Sequence, residues 1–167
     1  MTRFTMTRFS FMRFVGAALL PLPAVTASAQ GGAKVLRMVP QTDLKILDPI
    51  WTTAFVTRDH GYMIYDTLFG IDADGKVQPQ MVDKYSASPD AKTWTFTLRK
   101  GLAFHDGKTV TSADVIASLG RWGQRDSLGQ KMYAALDKIE ASGDNGWRMM
   151  FKEPFGMVLE ALAKPSG

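Results

Sequence analysis

Polar and apolar residues alternate with a period of two over Thr93–Leu98, in the stretch PDAKTWTFTLRKG. Trp94, Phe96 and Leu98 fall on one face and three threonines on the other, which is typical of a strand with one buried side. Pro89-Asp90 supplies a turn before it. We therefore predict a strand over Thr93–Leu98 that buries Trp94 and Phe96.

Similar patterns predict further strands and turns on both sides of this one. Asp72-Ala73-Asp74-Gly75 lies between two short extended arms, as in a hairpin turn. A calcium loop also opens with Asp-x-Asp, but its glycine comes at the sixth position and a Glu closes it, so a hairpin is favoured. Val82–Ser88 should pair antiparallel with Thr93–Leu98. Other extended segments are predicted at Val35–Val39, at Leu102–Phe104 before a His105-Asp106-Gly107 turn, and at Trp147–Phe151 after an Asp144-Asn145-Gly146 turn.

Four segments have the apolar spacing of helices. The clearest begins with Thr111-Ser112-Ala113-Asp114, a capping box, and carries Val115, Ile116, Leu119 and Trp122 on one face until Gly123 ends it. The other predicted helices are Thr53 to Leu68, with Phe55, Tyr62, Met63, Leu68 and Phe69 as its apolar face; Leu128 to Ile139, with Met132, Ala135, Leu136 and Ile139 inward; and Phe155–Ala163 after the break at Pro154.

Residues 1–29 have the layout of a secretory signal peptide. Arginines up to Arg13 precede an uncharged apolar run, Phe14–Val25, and Ala27-Ser28-Ala29 is a small-x-small cleavage site that would leave Gln30 first. The run is shorter than the ~20 residues that span a bilayer, so a membrane anchor is disfavoured. Without a twin-arginine pair the general secretory route is expected, with release into the periplasm; translation could start at Met1, Met6 or Met12.

Composition excludes several classes of function. A content of 46% hydrophobic and 22% charged residues indicates a globular chain of one-domain length. The formal charge of +4 comes largely from three arginines in the leader, so no basic surface points to nucleic acid. With no cysteine there is neither a disulfide framework nor a thiolate metal site.

The chain carries no pattern typical of catalysis. His60 and His105, the two histidines, are far apart and have no second ligand at metal spacing, and we expect His105 to hydrogen-bond a backbone group in its turn. Ser112 and Ser118 lack the Gly-x-Ser-x-Gly setting of a hydrolase nucleophile. Three of the ten methionines lie in the leader, and Met132, Met149 and Met150 fall in periodic apolar segments, which suits core packing. We therefore expect no enzyme activity, no cofactor and no metal.

The stretch WTFTLRKGLAFHDGKTVTSADV resembles the signature of the family 5 extracytoplasmic solute-binding proteins, the peptide, nickel and glycoside receptors of ABC importers. Leu47-Asp48-Pro49, Tyr65-Asp66-Thr67-Leu68 and Asp72–Gly75 with Pro79 extend the resemblance upstream. It implies a mixed α/β fold that is part of the first lobe of a two-lobed periplasmic-binding-protein fold (type II, cluster C). Residues 30–167 would then be the incomplete N-terminal part of that domain.

The same resemblance implies a function and a site. The receptor would close its lobes around a small solute, peptide-like by preference, and deliver it to ABC permease and ATPase subunits. In the family the loop after Leu-Asp-Pro lies near the cleft between lobes, which makes Trp51, Thr52 and Thr53 the candidate ligand contacts. An exposed Trp beside two hydroxyls suits a peptide or sugar. The alternative is that Trp51 is a core residue and the threonines cap the next helix.

Two further expectations are an alternative function and the behaviour of residues 30–167 by themselves. A secreted hydrolase or chaperone-like protein, with its active residues beyond Gly167, is the alternative function. If instead the chain is the N-terminal piece of a receptor, residues 30–167 by themselves would bind no solute. They would also be prone to associate through unpaired edges and apolar surface.

Overall fold

The computed structural model describes residues 35–164, so the predicted leader with its cleavage site at Ala29 and Gln30 lies outside the described residues. Within this range the chain is mixed helix and sheet, as predicted. The elements, in chain order, are α1 (Phe55–Ile64), β1 (Phe69–Ile71), β2 (Val77–Pro79), β3 (Val82–Ala87), β4 (Thr93–Leu98), α2 (Ser112–Arg125), α3 (Ser127–Ala135), β5 (Leu136–Ala141), β6 (Gly146–Phe151) and α4 (Val158–Leu162).

A four-stranded antiparallel sheet in the order β3-β4-β6-β5 forms the centre of the fold. The predicted antiparallel pairing of β3 with β4 is confirmed, with Tyr85 opposite Phe96. On its other side β4 pairs with β6, which places Phe96 opposite Trp147. Both side chains are fully buried and their rings stack with centroids 5.0 Å apart. The predicted buried face of β4 is therefore confirmed at Phe96 and Leu98, while Trp94 is half-buried.

The predicted hairpin at Asp72–Gly75 is confirmed: β1 and β2 pair antiparallel on either side of it. Asp72 closes the turn by accepting hydrogen bonds from the backbone N–H of Asp74 at 3.0 Å and of Lys76 at 2.8 Å. Gly75 has φ of 77°, a conformation that glycine adopts without strain. The carboxylate is thus used by the turn itself.

Helix α2 begins with the predicted capping box. The Thr111 hydroxyl accepts from the Asp114 N–H, and the Asp114 carboxylate accepts from the Thr111 N–H at 2.8 Å. The prediction that Gly123 ends this helix is wrong, since α2 continues to Arg125 and Gly123 is buried within it. A Cβ at Gly123 would lie 2.3 Å from the Tyr133 ring, so this glycine allows α2 and α3 to approach closely.

The helix predicted over Leu128 to Ile139 is wrong at its end, because the chain from Leu136 to Ala141 is strand β5. The apolar positions Leu136 and Ile139 fit a helix, but pairing with β6 places them opposite Phe151 and Met149. The Asp144–Gly146 turn is confirmed as the link between these strands, with Gly143 at φ of 78°. Helix α4 is shorter than the predicted Phe155–Ala163.

Two predictions at the start of the described chain are also wrong. Val35–Val39 is not a strand: no described strand pairs with it, and an extended segment without a partner has no ladder. Helix α1 is shorter than Thr53 to Leu68, and it buries Thr57 and Gly61 instead of its aromatic residues. Phe55, Tyr62 and Met63, assigned to the apolar face, are exposed.

One hydrophobic core joins the sheet to α2 and α3, the helices between β4 and β5. It contains Trp147 and Met149 of β6, Val115 and Leu119 of α2, and Met132 of α3. Asp126 links the helices, since its buried carboxylate caps α3 through the N–H groups of Leu128 and Gly129 and pairs with the Lys164 ammonium after α4.

Candidate functional site

The candidate loop starts with a tight turn, Asp48-Pro49-Ile50-Trp51. The Trp51 N–H donates to the Asp48 carbonyl at 3.1 Å, and the Asp48 carboxylate accepts from the Ile50 N–H at 3.0 Å. Proline at the second position fixes φ near the value that such a turn needs, and an aspartate at the first position is typical for this bond. The Leu-Asp-Pro segment therefore sets the direction of the chain that carries Trp51.

Helix α1 contacts the segment that contains this turn. The Thr57 hydroxyl donates to the Ile46 carbonyl at 2.8 Å and is buried there. One turn further along α1, Gly61 lies against Pro49, and a Cβ at position 61 would come 3.2 Å from the proline Cβ. The two buried residues of α1 are thus the ones that contact the segment before Trp51.

Two arginines of α2, one helical turn apart, reach the other side of the loop. Arg121 forms a forked ion pair with the Asp48 carboxylate, with Nη1 3.3 Å from Oδ1. Arg125 lies with its guanidinium carbon 3.8 Å from the centroid of the Trp51 ring, a cation–π contact. The hydrogen bond from Arg121, more than any other contact, holds the pKa of Asp48 below its usual value.

The three predicted site residues differ in their exposure and in their hydrogen bonds. Trp51 is 55% exposed, so the alternative that it is a core residue is wrong for the chain described. Thr52 is half-buried and its hydroxyl accepts from the Ala54 N–H at 3.2 Å, while Thr53 is exposed. Neither threonine caps α1, whose N-cap is Ala54 without a side-chain hydrogen bond. An indole plate beside a free hydroxyl can stack on a solute and hydrogen-bond its polar groups.

The loop is an open surface in the described chain. Among residues 35–164, one shallow depression is lined by Leu98–Leu102, Thr109–Thr111 and Asp144-Asn145, and another lies beside Tyr62 and the β1–β2 hairpin. Neither contains Trp51, Thr52 or Thr53. Within residues 35–164, no three His, Asp or Glu side chains are grouped to hold a metal ion.

The histidines lie apart from the loop's polar contacts. His105 is exposed in its predicted turn, but its side chain makes no hydrogen bond to any described residue, so the expected bond to a backbone group is wrong. His60 is half-buried on α1, and its Nδ1 is buried without a partner among the described residues. Over the same range no helix combines the length and the apolar character needed to cross a membrane.

Sequence reasoning did not identify Arg121 and Arg125 as part of this site. They lie some seventy residues after the turn, and no local pattern connects the two segments. The available signal was a pair of arginines at i and i+4 on the polar side of α2, together with an Asp-Pro turn whose carboxylate needs a partner. Such a pair is common on solvated helices, so the signal is weak.

Comparison with known proteins gives a consistent result. Residues 76–167 match the family described as bacterial extracellular solute-binding proteins, family 5 Middle. The chain is 40% identical over 149 residues, 89% of its length, to the probable peptide ABC transporter periplasmic-binding protein y4tO of Sinorhizobium fredii. It is 29% identical over 96% of its length to the glutathione-binding protein GsiB of Salmonella choleraesuis.

Solved structures show the same fold. AgaA from A. tumefaciens R10, in complex with agropinic acid, superposes with a TM-score of 0.63 at 33% identity over 74% of this chain and 25% of its own. NikA from Brucella suis, in complex with Fe(III)-EDTA, gives a TM-score of 0.63 at 25% identity over 72% of this chain and 24% of its own. These neighbours are two-lobed periplasmic binding proteins, and the described fold corresponds to part of one lobe.

The chain spans about a third or less of its curated relatives, 28% of the Sinorhizobium protein and 32% of the Salmonella protein. The family match covers more than half of the chain and includes β3 to β6 with the helices between them. The resemblance seen in the stretch from Trp94 to Val115 is therefore confirmed. The chain belongs to the family 5 extracellular solute-binding proteins.

Proposed function

We propose that this chain is part of the solute-binding receptor of an ABC importer and that the Trp51–Thr53 loop contacts the solute. The observation that carries the proposal is the loop itself: it presents an exposed indole on a turn that is fixed on both sides by α1 and α2. An indole held in place at the surface offers an apolar face beside a polar N–H, and such a side chain is common at binding sites. The family membership supports the same function.

The solute that fits best is a small, peptide-like molecule. The relatives are named for peptides and for glutathione, itself a small peptide, and AgaA holds agropinic acid. Such solutes combine apolar or planar portions, which stack on Trp51, with amide and carboxylate groups that bond to the Thr52 and Thr53 hydroxyls. Binding would favour the closed arrangement of the lobes through its higher affinity for that state.

The test is calorimetric titration of a full-length receptor that carries this segment with trialanine, glutathione and agropinic acid. We expect one of them to bind, and Trp51→Ala to weaken that binding about tenfold, the effect of losing about 1.4 kcal/mol of contact energy. Phe104→Ala, which removes another exposed aromatic residue, is the matched control and should leave the affinity unchanged. Unchanged binding in Trp51→Ala would refute the assignment of the loop.

Delivery and location form the second part of the proposal. The receptor would be exported with cleavage between Ala29 and Gln30, act in the periplasm and hand its solute to a permease driven by ATPase subunits. The relatives' naming as periplasmic proteins of ABC transporters supports this. Mass spectrometry of the exported protein should give an N-terminus at Gln30. A retained Met1 or Met6 in a membrane fraction would contradict it.

A further inference from the structure

Helix α2 contacts the candidate loop through two arginines, each of which has a different partner. Arg121 is paired with Asp48 by both ends of its fork. Arg125 has no carboxylate within ion-pair distance among residues 35–164, and instead its guanidinium carbon lies 3.8 Å from the centre of the Trp51 ring. One arginine therefore fixes the start of the turn and the other fixes the indole at its end.

We propose that Arg121 and Arg125 are positioning residues for solute recognition, which hold the indole of Trp51 in one orientation before the solute arrives. The inference rests on the proposed function of the loop and names the residues that make it effective. Neither arginine needs to touch the solute for this role. Their action is on Trp51 and on the turn that carries it.

The physical reason is the entropy of an exposed side chain. An indole that is 55% exposed and lies in a segment without strand or helix would sample several rotamers, and a solute that stacks on it would have to immobilise it. A guanidinium stacked on one face restricts those rotamers and leaves the other face free. The indole is then preorganised, and the ordering cost is met during folding.

The arginines themselves stand on a rigid base. Arg125 is the last residue of α2, and the next residue, Asp126, is 1% exposed and caps α3. The Lys164 ammonium pairs with the same carboxylate. Because the end of α2 is fixed in this way, a side chain at position 125 can transmit that rigidity to Trp51.

Arginine is the side chain that this arrangement requires. Its planar fork matches the two carboxylate oxygens of Asp48, and its flat, weakly hydrated face stacks on an aromatic ring. A lysine at either position keeps the charge but loses the fork at position 121 and the stacking at position 125. Lysine substitution therefore separates the role of geometry from the role of charge.

The experiment uses fluorine NMR of the full-length receptor labelled with 5-fluorotryptophan. This segment has four tryptophans, and Trp51→Phe identifies the resonance of Trp51. In Arg125→Gln we expect the Trp51 resonance to move and to show a larger shift between H₂O and D₂O, while those of Trp94, Trp122 and Trp147 stay in place. Arg125→Lys should behave like Arg125→Gln. Arg148→Gln, which replaces an exposed arginine on β6, should leave the Trp51 resonance in place.

Binding of whichever of trialanine, glutathione and agropinic acid the unaltered receptor binds is then measured with the same variants. We expect Arg125→Gln to weaken it about two- to fivefold, the factor that an exposed cation–π contact contributes. Arg121→Gln should have an effect in the same direction, and the two changes together should not be additive because both act on Trp51.

The outcomes are distinct from those of the proposed function. If Trp51→Ala leaves solute binding unchanged, the loop is not the site. If Trp51→Ala weakens binding but the Trp51 resonance is unaltered in Arg125→Gln, the positioning role is refuted. A moved resonance with full affinity refutes it as well. The resonances of Trp94, Trp122 and Trp147 report whether a variant is folded. If Arg125→Gln loses these resonances, Arg125→Lys replaces it in the test and is judged by the same criteria.

Discussion

Two glycines of α2 should respond to alanine substitution in opposite directions. In the interior of a helix, Gly→Ala normally stabilises a protein by about 0.5–1 kcal/mol, because alanine loses less backbone entropy on folding. At Gly120 the nearest atom to an added Cβ is the Tyr133 hydroxyl oxygen at 4.0 Å, an ordinary contact. Gly120→Ala should therefore show the full gain.

At Gly123 the same methyl group has no room. Its Cβ would lie 2.3 Å from Cδ2, 2.5 Å from Cε2 and 2.9 Å from Cγ of Tyr133, whereas carbon atoms pack at about 3.5–4.0 Å. The tyrosine ring must move by more than an ångström, and with it the contact between α2 and α3. Overpacking of this kind costs about 1–3 kcal/mol, which exceeds the propensity gain, so Gly123→Ala should be destabilising.

The measurement is the urea midpoint of each variant at constant m-value, which compares the free energies of unfolding. A third variant, Gly123→Ala with Tyr133→Ala, removes the ring and should cost less than the sum of the two single changes, since the clash is then absent. Equal stabilisation by Gly120→Ala and Gly123→Ala would show that the helices are not in the close contact described here.

Three further outcomes are expected. Phe96→Ala should lower the free energy of unfolding by about 3–5 kcal/mol because the ring is fully buried, and Thr95→Ala on the opposite face of the strand by less than about 1 kcal/mol; equal small losses in denaturant midpoint would contradict the strand. Thr111→Ala should cost about 1 kcal/mol by the same assay, because it removes one half of the capping box, and no loss would mean that the cap is dispensable. The pKa of Asp48 is lowered in the folded protein, so its contribution to stability is present above about pH 4 and is lost as the pH falls through the folded value; Asp48→Asn should flatten the acid side of the stability profile, and an unchanged profile would indicate that the pair with Arg121 adds nothing.

The sequence predicted well those parts of the fold that depend on neighbours in the chain. The β1–β2 hairpin, the pairing of β3 with β4 and the capping box of α2 are each specified within a few residues by turn glycines, alternation or a cap. Leu136 and Ile139 were assigned to a helix because a spacing of three suits a helix and would place them on opposite faces of a regular strand. In β5 the register shift between Leu136 and Lys138 brings both to the same side, opposite Phe151 and Met149. What decides for a strand is Met149 and Phe151 of β6, which no local pattern reveals.

The candidate site shows the same division. The position of Trp51 after the Leu-Asp-Pro segment, which resembles the family, was enough to select it as a candidate. That resemblance did not determine whether Trp51 is exposed or buried. Glycine is unfavourable inside a helix, but Gly61 is the residue that lets Pro49 approach α1. Arg121 and Arg125 escaped prediction because contacts between segments far apart in sequence depend on the completed fold.

The strand order also determines how the sheet can form. The β3–β4 and β5–β6 hairpins are local, and such units form in about microseconds. The pairing of β4 with β6 is different, because the chain between them contains α2, α3 and β5. Phe96 and Trp147 can stack only after that whole insertion has closed, so this seam has the highest contact order of the sheet and should limit the folding rate. Until it closes, each hairpin exposes an aromatic strand edge, and it is in this interval that the chain is most open to pairing with another copy of itself.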